Sequence, residues 1–245
     1  MDSTRFPGKP MAKICGIPMI GHCFYRACLA IGHSKVFVAT CDQIIADYIT
    51  KIGGNVILTS KNHKRATTRT AEAKKKIEKN YKIKIDAIVM VQGDEPTINN
   101  KSISHVVKEL KKPDKNIVNL VSIIRSEKDL KDENNVKVVV SKRKQAIYYS
   151  RCPIPFSIDK SIKTNFYMQT GIIGFKSNKL EKFNNLGETI LERLESVDMN
   201  RLIENNETID IIRTNYSTIS VDTKKELKAA EKLIIKDHLI SKYRN

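Results

Sequence analysis

The stretch Ala87-Ile-Val-Met-Val-Gln-Gly-Asp-Glu-Pro96 decides the fold of this chain. Its first five residues are continuously apolar, a pattern typical of a strand buried on both faces of a parallel sheet. The run ends abruptly in a polar turn that carries Asp94 and Glu95. Open α/β sheets bind their ligands beyond the carboxyl ends of their strands, so this turn is a candidate binding loop. An ordinary turn or a helix cap explains the same residues equally well.

On both sides of this strand, short apolar runs alternate with helical patterns. Helical spacing from Met19 to Ile31 is closed by Gly32, and the β-branched run Val36–Thr40 follows. The second half is less regular, above all over residues 150–200, with strands expected near 117–124, 136–140, 145–150, 169–175 and 208–213. We therefore predict an α/β fold with a doubly wound, mostly parallel but mixed sheet, in a single domain over residues 1–245.

Composition limits the classes of function. The 245 residues include 44 Lys and Arg against 27 Asp and Glu, a formal net charge of +17 that attracts polyanions. Because the lysines are spread along the whole chain, we expect a solvated basic surface and treat nucleic-acid binding as the less favoured alternative. No apolar run approaches the ~20 residues of a membrane span, and the first residues lack a secretory signal, so we expect a cytoplasmic protein. Five cysteines without a C-x-x-C pair argue against a disulfide framework or zinc knuckle.

A second acid occupies a position equivalent to that of Asp94. Asp222 follows the apolar run Ile219-Ser-Val221, which we interpret as a strand, and precedes a helix. Thr223 and Glu226 already form a capping box for that helix, so Asp222 is not needed as its cap. Two acids at the carboxyl ends of two strands can converge on one Mg²⁺ ion, which binds one or two carboxylates together with substrate phosphates.

Three basic segments are weaker candidates for binding an anionic substrate. The turn Ser3–Pro10 combines Gly8 with Arg5 and Lys9, which suit a polyphosphate, although a surface turn has the same composition. The loop His63–Arg69 is a possible nucleotide contact or only a basic loop. Arg151 ends a predicted strand, where it could bind a carboxylate with two parallel hydrogen bonds.

Together, these segments resemble the bacterial sugar-acid cytidylyltransferases, in particular the 3-deoxy-manno-octulosonate cytidylyltransferases. The similar segments occur in the family's order along nearly the whole chain: Ser3–Pro10, Gly16–Ile20, Val36–Thr40, Val91–Pro96, Asn134–Val139, Tyr148–Arg151 with Ile154–Phe156, and Val221–Thr223. The combination of the S-T-R-x-P-G-K-P loop with V-Q-G-D-E-P is the specific part of this resemblance.

The resemblance implies an enzyme that transfers CMP from CTP to a 2-keto-3-deoxy sugar acid for surface polysaccharide or lipopolysaccharide synthesis. It implies catalytic roles for Arg5, Lys9, Asp94 and Asp222, with Arg5 and Lys9 on the triphosphate and the two aspartates on Mg²⁺. It further implies nucleotide contacts from Arg65, Thr67, Gln92 and Gly93, and acceptor-sugar contacts from Arg151 and Gln169. A homodimer is expected, with the 150–200 region in its interface.

The chain also departs from the family pattern. The family begins with a strand followed by P-A-R; here both are missing, and we expect the true start to lie upstream. In the family, a glycine of the base-binding loop allows close approach to the base, and this chain has Ala66 at that position. The family motif H-x-G-I-Y near the sugar is Gln169-Thr-Gly-Ile-Ile173 in this chain. L-E-Q-L-R reads Val197-Asp-Met-Asn-Arg201. A nonulosonic-acid cytidylyltransferase and a catalytically silent nucleotide-binding paralogue therefore stay open as alternatives.

Overall fold

Strands and helices alternate along the chain in a computed structural model, which describes residues 6–159, 161–162, 164–216 and 218–244. The strands are β1 (Lys13–Ile14), β2 (Ile17–Pro18), β3 (Phe37–Thr40), β4 (Asn55–Leu58), β5 (Ala87–Val91), β6 (Ile117–Ile123), β7 (Lys137–Val140), β8 (Ala146–Ser150), β9 (Tyr167–Lys176) and β10 (Asp210–Arg213). The helices are α1 (Met19–Ile31), α2 (Gln43–Lys51), α3 (Ala66–Tyr81), α4 (Asn100–Leu110), α5 (Glu127–Lys131), α6 (Ser177–Asn185), α7 (Ile190–Glu195), α8 (Met199–Glu204) and α9 (Lys224–Ile235). The chain divides into two compact units.

The first unit comprises residues 1–85, 90–105 and 216–245. In it, β3 and β4 form a parallel pair in the register Phe37↔Asn55, joined through α2. A tight hairpin pairs β1 with β2, and its two turn residues, Cys15 and Gly16, both have positive φ angles (50° and 86°). A two-residue hairpin loop of this type matches the twist of its strands.

The last helix completes the core of the first unit. Thr223 caps α9, and the capping box with Glu226 is present as predicted. The apolar face of α9 packs with Ile14 and Met19 in a cluster whose buried members are Ile14, Met19, Val221, Ala230 and Ile234. Residues from both ends of the chain therefore share one core.

The second unit comprises residues 86–89 and 106–215. Its mixed sheet has the strand order β10-β6-β9-β7-β8, and β5 pairs with β9. The β10–β6 pair is parallel, whereas β9 runs antiparallel to β6 and β7, and β7 antiparallel to β8. This arrangement confirms the α/β fold with a mixed sheet and an antiparallel excursion in the second half.

The structure departs from one of the expected strands. Residues 219–221 are not a strand; they run beside the turn after β5, to which Val221 donates a backbone hydrogen bond. The apolar Ile-x-Val pattern cannot distinguish an extended segment from a strand because both bury alternate side chains. In the part of the chain that the structure describes, β1 is the first strand and β3 pairs with β4 alone. None of the described helices is both long and apolar enough to cross a bilayer.

Candidate active site

The centre of the candidate site is the ammonium group of Lys9. Its Nζ donates to Asp94 Oδ2 at 2.9 Å and to Asp222 Oδ1 at 2.8 Å. All three side chains belong to the first unit, and they are mostly buried, with exposed side-chain fractions of 14%, 22% and 24%. The two aspartates therefore converge on one point that holds a positive charge.

The loop that carries Lys9 has a defined backbone. Gly8 has φ 71° and ψ 9°, a left-handed conformation that glycine adopts without steric cost, and it precedes a 3₁₀ turn over Lys9–Met11. Pro10 lies in the first turn of this segment, where its fixed φ is compatible and its missing N–H is not needed. Arg5, which was also predicted to bind the triphosphate, lies outside the described residues.

Asp94 lies in the turn that follows β5. Glu95 donates its backbone N–H to Gln92 O at 3.3 Å, which closes the turn. A Cβ added at Gly93 would lie 2.9 Å from Ile20 Cδ1, so glycine lets this turn lie close to α1. The Asp94 carbonyl accepts from Val221 N at 2.9 Å, which brings the Asp222 segment alongside.

Asp222 is oriented by the start of α9. The backbone N–H groups of Asp222 and Thr223 both donate to Glu226 Oε2, at 2.7 and 2.8 Å. Because Glu226 and Thr223 supply the helix cap, the Asp222 carboxylate is directed to Lys9. This is the arrangement expected from the capping box.

The two aspartates determine the electrostatic environment of Lys9. Burial alone would lower the pKa of Lys9, but Asp94 and Asp222 outweigh it and raise that pKa above its ordinary value. Asp94 Oδ1 is buried and has no hydrogen-bond partner among the described residues. A buried carboxylate oxygen without a donor is costly unless a cation binds it, so the pair of aspartates fits a divalent metal. The described residues contain no group of three His, Cys, Asp or Glu side chains that could hold a metal alone.

The predicted nucleotide contacts belong to the same unit. Arg65 precedes α3, and Thr67 in its first turn is fully buried, with Oγ1 3.9 Å from Met90 Sδ in β5. Gln92 and Gly93 lie in the Asp94 turn. The start of α3 is therefore held beside the end of β5, although the role of these four residues stays a prediction.

The two predicted acceptor-sugar residues lie in the second unit. Gln169 is on β9, paired with Val121. Arg151 Nε donates to Glu195 O at 2.7 Å and Nη1 to Glu133 O at 2.8 Å, while the Arg151 backbone N–H donates to the Glu195 carboxylate at 2.8 Å. The guanidinium thus binds main-chain carbonyls, and its role toward a sugar stays a prediction.

Glu195 is the hydrogen-bond partner of the Arg151 segment in the second unit, and the sequence did not predict it. Its carboxylate accepts from Tyr148 Oη at 3.2 Å and Ser150 Oγ at 2.6 Å, besides the Arg151 N–H. These hydrogen bonds hold the pKa of Glu195 below its ordinary value although burial acts in the opposite direction. Tyr148 and Ser150 are two positions apart, as on one face of a strand, but Glu195 lies 44 positions beyond Arg151, and no local pattern connects the two.

The α/β fold, with two acids that meet a lysine from a glycine-containing loop, suits the binding of a nucleoside triphosphate, and comparison with known proteins shows the class: a nucleotidyltransferase. The family model described as "Cytidylyltransferase" matches residues 1–209, and the chain belongs to that family. It is 38% identical to the 3-deoxy-manno-octulosonate cytidylyltransferase of Thermodesulfovibrio yellowstonii over 239 residues, which cover 95% of this chain and 94% of the relative. The corresponding protein of Rickettsia prowazekii is 38% identical over 232 residues, 95% and 91% of the two chains.

A solved structure gives the same result. The structure of CMP:2-keto-3-deoxy-manno-octonic acid synthetase complexed with CTP is similar with a TM-score of 0.84 at 30% identity. The match covers 96% of this chain and 94% of that chain. The resemblance and the fold class inferred from sequence are confirmed.

Proposed function

We propose that this chain transfers CMP from CTP to a 2-keto-3-deoxy sugar acid, with 3-deoxy-manno-octulosonate as the expected acceptor, and releases pyrophosphate. The CMP-activated sugar would serve surface polysaccharide or lipopolysaccharide synthesis, and we expect the reaction in the cytoplasm, where CTP is available. The names of the relatives support this acceptor. The observation that carries the proposal is the convergence of Asp94 and Asp222 on Lys9.

The site suits the charges of this reaction. A hydroxyl oxygen of the sugar acid attacks the α-phosphorus of CTP while the bond to the pyrophosphate oxygen breaks, so two anions must be brought together in line. Asp94 and Asp222 would hold Mg²⁺, which when bound withdraws charge from phosphate oxygens. Lys9 would offset charge on the leaving pyrophosphate, since an ammonium is a compact point charge suited to phosphate.

Pyrophosphate release tests the proposal directly. CTP is incubated with 3-deoxy-manno-octulosonate, with a nonulosonic acid or without acceptor, each with and without Mg²⁺. We expect Mg²⁺-dependent release with the first acid. Faster release with the nonulosonic acid would transfer the assignment to that alternative, and no release with either would favour a silent nucleotide-binding paralogue.

A matched pair of variants tests the metal ligands. Asp94→Asn keeps the shape of the side chain but removes its charge, and we expect turnover to fall by at least about 100-fold because transition-state charge loses its stabilisation. Asp114→Asn is the control, because Asp114 is 67% exposed and lies in the second unit. Turnover of Asp94→Asn at the parental rate would contradict the role of this carboxylate.

The same proposal includes a homodimer. Phe156, Ile158 and Ile162 are exposed by 87%, 91% and 64%, and they lie close together in sequence within the 150–200 region. Large apolar side chains at that exposure commonly mark an interaction surface. Light scattering should give twice the chain mass, and Phe156→Ser with Ile158→Ser should shift it toward the monomer.

A further inference from the structure

Thr97 connects the two segments that carry Asp94 and Asp222. Its Oγ1 accepts a hydrogen bond from Ile219 N at 2.8 Å and lies 3.4 Å from Ile219 O, to which it can donate. The side chain is buried, with 7% of the residue exposed. Thr97 lies three positions after Asp94, and Ile219 lies three positions before Asp222. The contact thus joins the two segments three residues from each aspartate.

A second contact aligns the same segments. Val221 N donates to Asp94 O at 2.9 Å, so residues 219–222 run antiparallel to residues 94–97. Neither segment is a strand of a sheet, and each lacks the repeated ladder bonds that would otherwise fix its register. The Thr97 hydroxyl therefore supplies one of the hydrogen bonds that hold these segments in register.

The Thr97 backbone is itself fixed. Arg26, which is fully buried, donates from Nη1 to Ile98 O at 3.0 Å and to Thr97 O at 3.5 Å. The same nitrogen forms an ion pair with Asp237 at 2.7 Å. Because a charged group binds these carbonyls, residues 97 and 98 have little freedom to follow Ile219 if the hydroxyl is removed.

We infer that Thr97 is a positioning residue for the metal site: its hydroxyl sets the separation of the Asp94 and Asp222 carboxylates. The inference rests on the proposed function only in taking these two carboxylates as the metal ligands. Asp94 and Asp222 should bind a metal ion more weakly when the Thr97–Ile219 hydrogen bond, which holds their two segments together, is lost. One ordinary hydrogen bond corresponds to a change of about three- to tenfold in affinity.

The test uses Thr97→Val, which keeps the β-branched shape and removes the hydroxyl, with Thr97→Ser as the rescue. Mn²⁺ binding to the protein with CTP present is measured by the loss of the free-Mn²⁺ spin resonance signal. We expect Thr97→Val to weaken Mn²⁺ binding by about three- to tenfold and Thr97→Ser to restore it. In turnover, the metal concentration for half-maximal rate should rise by a similar factor while kcat at saturating metal changes little.

Thr40→Val is the control for a structural effect alone. Thr40 is a buried residue of the first unit, 5% exposed, whose Oγ1 accepts from Asp42 N at 3.0 Å and whose carbonyl accepts from Thr59 N at 2.8 Å. Both valine variants should lose thermal stability, but Thr40→Val should bind Mn²⁺ as the parent does. Equal Mn²⁺ affinity in Thr97→Val and the parent would overturn the inference.

A measurement on the unchanged protein keeps the inference testable if Thr97→Val does not fold. Opening of the Thr97–Ile219 bond separates the two ligand-bearing segments, so a metal bound to both must suppress this opening. Amide hydrogen exchange of Ile219 should therefore slow when Mn²⁺ and CTP are added. Exchange that does not change while Mn²⁺ binds would overturn the inference. Both readouts are independent of acceptor choice, so a failed acceptor assay would refute the proposed function without affecting them.

Discussion

Replacing Lys9 by methionine removes one charge from between two others. Methionine keeps the unbranched chain, while Asp94 and Asp222 lose the ammonium that lies 2.9 and 2.8 Å away. Removal of one partner from a fully buried charge cluster costs about 3–5 kcal/mol. Because the aspartates keep 22% and 24% exposure and are partly screened, we expect a loss of about 2–3 kcal/mol at pH 7.

The loss should depend on pH and on divalent metal. The aspartates raise the pKa of Lys9 above 10.5, so its stabilising effect is fully present below pH 10.5 and disappears as the pH rises through the raised pKa. A divalent ion that binds the two carboxylates replaces the missing charge, and at about 100 times its Kd it adds about 2.7 kcal/mol. Mn²⁺ should therefore stabilise Lys9→Met more than the parent.

Urea denaturation with and without Mn²⁺ measures both effects. The double variant Lys9→Met with Asp94→Asn is the control: it should recover part of the lost stability and lose the response to Mn²⁺. A Lys9→Met variant as stable as the parent at pH 7, or one whose midpoint responds to Mn²⁺ no more than the parent's, would refute the reasoning.

Three further changes test other parts of the molecule. Burial lowers the pKa of His22 below its ordinary 6.5. The contribution of His22 to stability is therefore present above pH 6.5 and is lost as the pH falls through the lowered pKa. The difference in melting temperature between the parent and His22→Gln should decrease as the pH falls through this range. Ala66→Gly at the start of α3 should lower the KM for CTP if the β-carbon crowds the base, at a cost of about 1 kcal/mol or less in stability by chemical denaturation. Gly174→Ala places a Cβ 2.6 Å from Leu110 Cδ1 at the end of α4, and we expect the free energy of unfolding to fall by about 1–3 kcal/mol in the same measurement. An unchanged denaturation midpoint would mean that the Leu110 side chain moves aside without cost.

Local patterns predicted the elements whose signals are strong. The helix over 19–31 has an apolar period closed by a glycine, the strand over 87–91 is continuously apolar, and α9 begins with a capping box; all three predictions were confirmed. The β1–β2 hairpin was not predicted, since its turn uses Cys15 with a positive φ, a conformation for which cysteine gives no signal. Residues 219–221 were wrongly interpreted as a strand because an extended chain has the same apolar period.

The sequence predicted those residues of the candidate site that a short local pattern marks. Acids after apolar runs identified Asp94 and Asp222, and a glycine-containing basic turn identified Lys9. Their convergence was expected from two strand ends, whereas in the structure residues 219–221 are not a strand and the contact of Val221 with the Asp94 turn brings the two acids together. The role of Thr97 was not predicted. A threonine after a proline carries no functional signal in the sequence, and its contact with Ile219 joins residues 122 positions apart.

The discontinuous first unit has a consequence for synthesis on the ribosome. Val221, Ala230 and Ile234 enter one apolar cluster with Ile14 and Met19, and Asp222 completes the ligand pair. A nascent chain that has emerged only through β10 carries Lys9 and Asp94 but neither their partner nor the closing helix. Residues 216–235 must therefore be synthesised before the first unit can reach its native packing, and a fragment that ends before residue 216 should be inactive and readily cleaved by proteases.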